Sequence, residues 1–268
     1  MPAVGQPGYD PIFKVRPYID LLNTKFKSIW MPETLCVDEM MIPYDGTRGP
    51  RHYVKGKPHP WGYKAFTLCD SKGIVYNVDI ACGASPQQPG FPDIGSTGNM
   101  VLKLCSIIPV NQSHKVYMDN YFSSIPLFYE LLANGIHNMG TVRLDRLAGI
   151  SNVIISDSDL QNKGIRAFRE YEAVLPPKVE DLRVIRWNDC KIFNLMSTFG
   201  TAYPTGTVDR WNRTVTPVVR ETVECPGPVS LYNTNMGGVD IMDALVGFYR
   251  IFFRSKKWYH RFFFTSWM

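Results

Sequence analysis

Two carboxylates three residues apart follow a pair of glycines in the stretch Asn235-Met236-Gly237-Gly238-Val239-Asp240-Ile241-Met242-Asp243. Gly accepts backbone angles that other residues resist, so Gly237-Gly238 reads as a turn. From Val239 on, apolar residues recur at helical spacing (Val239, Met242, Leu245, Val246, Tyr249). That spacing puts Asp240 and Asp243 on one face of a helix, in its first turn. Two more acids fall on apolar runs. Asp38 lies inside Thr34-Leu35-Cys36-Val37-Asp38-Glu39-Met40-Met41-Ile42, and Asp119 closes Lys115-Val116-Tyr117-Met118. In open α/β sheets, sites form at strand ends. Carboxylates gathered from such positions can hold two divalent ions, Mg²⁺ or Mn²⁺, which prefer hard oxygen ligands. Two such ions about 4 Å apart activate a water or a 3′-hydroxyl and stabilise the leaving oxygen of a phosphodiester. Without metal, buried like charges would repel and their pKa values would rise. Acids in a first helical turn also complement the helix dipole with no chemistry at all, and acids at strand ends are common. Spacing alone leaves both roles open.

The elements that must position these acids follow from pattern. Residues 1–14 form a loose segment, rich in Gly and Pro at its start. Val15 to Trp30 carries apolar residues at helical spacing (Val15, Ile19, Leu22, Phe26, Ile29), and Pro32 ends the helix. The run holding Asp38 predicts a buried strand. Gly62 to Cys69 and Gly73 to Cys82 predict two strands around the turn Asp70-Ser71-Lys72-Gly73. Asn99 to Ile108 has helical spacing, and the strand at Lys115 leads to Ser123-Ser124, which cap a helix with Pro126 in its first turn. Ile136 to Val142 predicts one more strand. Past Arg146 the character changes to short apolar runs, prolines and charged turns. Leu182–Trp187 and Lys191–Ser197 predict a hairpin around Asn188-Asp189, and Thr207 to Val219 a further short pair. A last helix is expected from about Lys256, with Trp258, Phe262 and Phe263.

The fold class expected is therefore α/β: a mixed sheet with an antiparallel start and flanking helices, interrupted by an inserted, mostly-β subdomain. Residues 15–149 would be the first part of the core, 150–230 the insertion and 231–268 the last part of the core. The final residue, Met268, stands in an apolar aromatic run, which reads as a truncated end.

Composition sets bounds. The 268 residues are 45% hydrophobic and 13% aromatic, enough for a sizeable core. A net charge of +5 allows nucleic acid as a partner without requiring it. The six cysteines (Cys36, Cys69, Cys82, Cys105, Cys190, Cys225) show no CxxC pair and mostly lie in apolar runs. That favours a reducing compartment without disulfides or zinc. Residues 1–10 lack the apolar centre of a signal peptide, and no apolar run approaches the length of a membrane span.

The residues around the aspartates occur in a telling order. They are Val37-Asp38-Glu39-Met40-Met41; Lys57-Pro58-x-x-Trp61-Gly62-Tyr63-Lys64; Met118-Asp119-Asn120-Tyr121-Phe122-Ser123-Ser124; Gly140-Thr141-Val142-Arg143; Tyr232-Asn233-x-x-Met236-Gly237-Gly238-Val239-Asp240-x-x-Asp243; and Tyr249-Arg250-Ile251 followed by Arg254-Ser255-Lys256-Lys257-Trp258-Tyr259. Any one is weak, but the ordered set, from about Tyr18 to Met268, closely resembles piggyBac-type DDE transposases and the host proteins derived from them. The resemblance implies an RNase H-like core split by an inserted β-rich domain, and cut-and-paste DNA transposition in the nucleus. It implies that Asp38, Asp119 and Asp240 bind two Mg²⁺ (or Mn²⁺) ions, with Asp243 also important. It further implies nicking of double-stranded DNA beside a transposon end, hairpin formation by the freed 3′-hydroxyl, attack on a TTAA target, and a homodimer in the full-length protein. The sequence departs from the family at Ala244, where Gln is common, and at Asp45 before Gly46, where many members have Lys. The family's N-terminal segments and C-terminal cysteine-rich domain are mostly absent from these residues, so the chain reads as a fragment or a decayed copy.

Basic residues suggest where DNA would lie. Arg48, Arg51, Lys55, Lys57 and Lys64 stand in or beside a Gly- and Pro-broken loop and could contact phosphates, as could Arg143 and Arg254, Lys256 and Lys257 near Trp258; a solvated loop or a helix start would account for them equally. Trp187 and Trp211 could stack on bases, although aromatics in β hairpins are usually core. Glu39 should point away from Asp38 and have a structural partner. A transposase-derived DNA-binding protein without catalysis, or a scaffold that keeps the fold for protein contacts, are the rival readings.

Overall fold

The structure is a computed structural model. It describes residue 6 and residues 8–57, 59–147, 150, 153–172, 182–212, 215–250, 255 and 257–264. The chain forms two compact units, residues 1–108 with 237–268, and residues 109–236.

In the first unit, β1 (Thr34–Pro43) pairs antiparallel with β3 (Trp61–Asp70), Leu35 opposite Asp70 and Pro43 opposite Gly62. The other edge of β3 carries β2 (His52–Tyr53) at its start and β4 (Val75–Ile80) further along. The turn expected between β3 and β4 is present. Asp70 Oδ1 accepts from the backbone N–H groups of Lys72 and Ile74, both at 2.9 Å, and Gly73 takes φ +89°. Helix α1 (Arg16–Phe26) packs on β4 and α2 (Ser96–Cys105) on β3 and β4. Asn23 of α1 serves as a strand neighbour for β4, its side chain donating to Val78 O and accepting from Val78 N–H, both at 2.9 Å. Layers of helix over sheet explain why β3 and β4 are buried along almost their whole length, polar residues such as Asn77 and Asp79 included. Helix α6 (Gly238–Tyr249) packs on β1 and β3 through Gly238, Val239, Met242 and Val246, the spacing of one helical face. The short α7 (His260–Phe264) lies against β1.

In the second unit, β5 (Lys115–Met118) and β6 (His137–Thr141) are parallel and joined through α3 (Ile125–Ala133). Ser124 caps α3 as expected, its Oγ accepting from Leu127 N–H at 3.4 Å. A single 3₁₀ turn, Leu144–Arg146, follows β6. After it come α4 (Asp157–Asn162), β7 (Phe168–Glu172), β8 (Arg183–Asn188) and β9 (Ile192–Ser197). Strand β9 pairs with β6, β8 with β9 and β7 with β8, all antiparallel. So β7–β9 extend the sheet of β5 and β6. A separate ribbon is made by β10 (Gly206–Asn212) and β11 (Val219–Cys225), with α5 (Gly227–Asn235) against β10 and β9. Arg186 of β8 is almost fully buried, with Asn194 accepting from its Nε at 2.8 Å and Asp157 and Ile155 O taking its other nitrogens. A buried cation needs such partners. Trp187 is buried, with Arg166 and Arg210 flanking its ring. Trp211 is 61% exposed, against the expectation that it is core, because β10 lies in a two-stranded ribbon with little to cover it.

Candidate active site

Asp38 is half-buried in the middle of β1, opposite Thr67 of β3, whose Oγ1 donates to Asp38 O at 3.4 Å. Asp38 Oδ1 accepts from the backbone N–H of Glu39 at 2.8 Å. Two residues back along the strand, Cys36 Sγ meets the backbone N–H groups of Gly238 and Val239 at the start of α6. Side chains two apart on a strand share a face, so Asp38 lies on the face that carries α6. Cys36 is an apolar plug there, and burial pushes its thiol up to about 12.

The glycine pair has a steric reason. A Cβ on Gly238 would sit 1.9 Å from Asp70 O and 2.7 Å from Cys36 Sγ, whereas one on Gly237 would meet nothing within 4 Å. The turn glycine of the β3–β4 hairpin also lies close from its side, since a Cβ on Gly73 would be 3.0 Å from Met242 N. Backbone thus touches backbone where α6 begins, and this seating fixes Asp240 and Asp243. Asp240 is exposed in the first turn and Asp243 is half-buried one turn on. Burial raises the pKa of Asp243 and the Asp240 carboxylate adds to the rise, while Lys57, Arg250 and His59 oppose it. Lys57 Nζ also donates to Glu39 O at 3.4 Å, which brings it to β1. Nothing in the sequence signals that Lys57 and His59 come near Asp243, since they lie far from it in the chain, whereas Arg250 follows at the end of the same helix.

In the second unit, Asp119 is half-buried just past the end of β5. Its Oδ1 accepts from Tyr121 N–H at 2.8 Å. Its carbonyl accepts from Phe122 N–H at 3.2 Å, Ser123 N–H at 3.1 Å and Ser123 Oγ at 2.9 Å. Gly140 leaves room for this turn, because a Cβ there would be 2.3 Å from Ser123 Oγ and 2.6 Å from Met118 O. That accounts for Gly140 in the motif Gly140-Thr141-Val142-Arg143.

A divalent ion suits these donors by type. All four are carboxylates, the hard oxygen donors that such an ion prefers. Among the described residues no group of three or more His, Cys, Asp or Glu side chains is already assembled as a metal site.

The basic residues have differing surroundings. Arg48 is exposed. Arg51 stacks on Trp61 at 3.9 Å and donates to Gly46 O at 2.9 Å. Lys64 pairs with Glu39 at 3.4 Å, diagonally across β1 and β3, so Glu39 has the structural partner expected of it. Arg143 is exposed beside Asp145, 3.7 Å away. Lys257 is exposed, and Trp258 is half-buried against Tyr63 and Phe262. Arg254 and Lys256 lie outside the described residues. All six cysteines are free, and among the described residues no helix is long and apolar enough to cross a membrane.

This is a mixed α/β fold with acids on β1, after β5 and in the first turn of α6. Comparison with known proteins gives the particular family. A family model described as Transposase IS4 matches residues 3–266. The human "PiggyBac transposable element-derived protein 3" is 30% identical over 254 residues, covering 93% of this chain and 41% of that protein. The human "PiggyBac transposable element-derived protein 2" is 28% identical over 257 residues, covering 94% and 42%. Among solved structures, a cryo-EM structure of a piggyBac transposase synaptic complex with hairpin DNA has a TM-score of 0.72 at 22% identity, covering 95% of this chain and 49% of that one. The chain belongs to the piggyBac-type transposase family. It spans less than half the length of each of these relatives.

Proposed function

We propose that this chain carries the catalytic core of a piggyBac-like, metal-dependent DNA transposase. Asp38, Asp119 and Asp240 would hold two Mg²⁺ (or Mn²⁺) ions, with Asp243 assisting. Bound there, such ions lower the pKa of a water or 3′-hydroxyl and stabilise charge on a leaving oxygen. The chain's own residues supply the rest. The seating of Gly238 on Asp70 fixes the carboxylates of α6, and the turn at Ser123 fixes Asp119. Arg48, Arg51, Lys57, Lys64, Arg143, Arg254, Lys256 and Lys257 would meet phosphates of the double-stranded DNA, both transposon ends and target, and Lys57 would do so beside Asp243. TTAA as the target, a homodimer in the full-length protein and action in the nucleus belong to the same reading. The observation that carries it is that Asp38, Asp119, Asp240 and Asp243 all stand within the ordered family motifs of this sequence.

A second reading has a specific observation behind it. The relatives named above are "transposable element-derived" proteins, and Ala244 and Asp45 depart from the family pattern. A DNA-binding protein without catalysis would keep the fold. Joining of a duplex with a pre-cut 3′-hydroxyl end, in Mg²⁺ or Mn²⁺, with Asp119→Ala as control, decides between them. Joining lost in the variant supports the transposase. DNA binding that weakens steeply with salt, with no joining by either protein, supports the binder. No DNA binding at all contradicts both.

A further inference from the structure

We propose that Arg146 is a positioning residue for Asp119, acting through the peptide groups of the turn between them; the inference rests on Asp119 being a metal ligand. Arg146 ends the 3₁₀ turn after β6. Its Nη1 donates to three carbonyls, Tyr121 O at 2.7 Å, Ser123 O at 3.2 Å and Asn120 O at 3.3 Å. The other ends of two of those peptides face Asp119. The peptide that joins Asn120 to Tyr121 offers its oxygen to Arg146 and its N–H to Asp119 Oδ1, at 2.8 Å. The next peptide offers its oxygen to Arg146 and its N–H, that of Phe122, to the Asp119 carbonyl at 3.2 Å.

Two consecutive peptides are therefore held in line between a guanidinium and an aspartate. A peptide that accepts at its oxygen is polarised and donates more strongly at its nitrogen. The guanidinium thus fixes where the Tyr121 N–H points, and that N–H fixes Oδ1 of Asp119. Groups behind a ligand set its orientation in this way. Hydrogen bonds from a charged donor are the stronger kind, which suits Arg146 to hold a turn whose carbonyls otherwise face water. No spacing signal marks Arg146, which stands three residues past Arg143 and whose targets lie 23 to 26 residues earlier.

The test uses the whole chain with Arg146→Ala and Arg146→Lys, and three readouts. Amide hydrogen exchange at Tyr121 and Phe122 should speed up about tenfold or more in Arg146→Ala. Affinity for Mn²⁺, followed by electron paramagnetic resonance, should fall about tenfold to a hundredfold, the usual effect of losing a group behind a ligand. Strand joining should lose kcat with KM for DNA unchanged. Arg146→Lys, or added guanidinium with Arg146→Ala, should restore part of each. Unchanged exchange at Tyr121 and Phe122 in a folded Arg146→Ala overturns the inference, and so does a raised KM with unchanged kcat, which would make Arg146 a DNA contact only. If the native protein neither binds Mn²⁺ nor joins DNA while Arg146→Ala still frees those amides, the positioning stands and the transposase reading is what fails.

Discussion

Replacing Gly238 by Ala should displace α6 from its seat. The added Cβ would sit 1.9 Å from Asp70 O, 2.7 Å from Cys36 Sγ and 2.9 Å from the Asp70 carbonyl carbon. Two of those three atoms belong to the backbone at the β3–β4 turn, which is itself pinned by the Asp70 side chain bonding Lys72 and Ile74. No rotamer change relieves the overlap. The start of the helix must move by about 1 Å or the hairpin must open. Overpacking of this kind costs about 1–3 kcal/mol, against a gain of at most about 1 kcal/mol from the better helix propensity of Ala. For a domain of this size each 1 kcal/mol lowers Tm by about 2–4 °C. A 1 Å misplacement of a catalytic group costs about a hundredfold in rate. Gly238→Ala should therefore lose several degrees in thermal denaturation and about two orders of magnitude in strand joining. Gly237→Ala, with open space around the new Cβ, should stay within about 0.5 kcal/mol of the native protein. Calorimetry and single-turnover joining on the two variants provide the check. Equal stability and rate for Gly238→Ala, or equal damage from Gly237→Ala, would refute the steric argument.

Other expectations follow from single contacts. The Glu39–Lys64 pair is 16% and 12% exposed, so Glu39→Gln or Lys64→Met alone should destabilise by about 1–3 kcal/mol; the double variant should recover part of that loss in urea unfolding, and additive losses would show that the two do not act as a pair. Burial holds the Asp243 pKa above its ordinary 3.8. Its proton is thus bound more tightly in the folded chain, and the stability this contributes is full below about pH 3.8 and is lost as pH rises through the raised value. Asp243→Asn should then be more stable than the native chain at about pH 7 and lose that advantage toward about pH 3, as read from Tm against pH; a larger advantage at low pH would reverse the sign of the argument. Burial pushes Cys36, Cys82 and Cys105 up to about 12, whereas Cys190 is exposed. Alkylation at about pH 8 followed by mass spectrometry should label Cys190 first, and fast labelling of Cys36 would mean that α6 is not seated as described.

Much of the positioning framework was legible because it is local. The run from Thr34 became β1, the turn at Asp70–Gly73 became the β3–β4 connection, and Ser124 with Pro126 opened α3 where capping chemistry requires. The hairpin around Asn188-Asp189 formed with Asn188 opposite Ile192. What the sequence did not convey depends on neighbours distant in the chain. Helix α5 was not foreseen, because Gly227–Asn235 has almost no amphipathic pattern and is held by β9 and β10. The pair expected over Thr207 to Val219 came out longer, with β11 starting at Val219, since a ribbon held by backbone pairing edge to edge needs no apolar alternation. At the candidate site the aspartates could be named from motifs. The reason for two glycines could not, because the atoms that Gly238 must clear lie on Asp70 and Cys36. Nor could the partners of Asp243 or the carbonyls that Arg146 gathers, which come together only when the sheet forms.

The proposed joint role of Asp38, Asp119 and Asp240 in holding metal is tested most directly by the rate of Mn²⁺-dependent strand joining for Asp38→Ala, Asp119→Ala, Asp240→Ala and the triple variant, at saturating DNA. Groups that act as a unit are strongly non-additive. Each single variant should therefore lose nearly as much rate as the triple, with DNA binding retained. Single losses that are small, or that multiply to give the triple, would contradict the account.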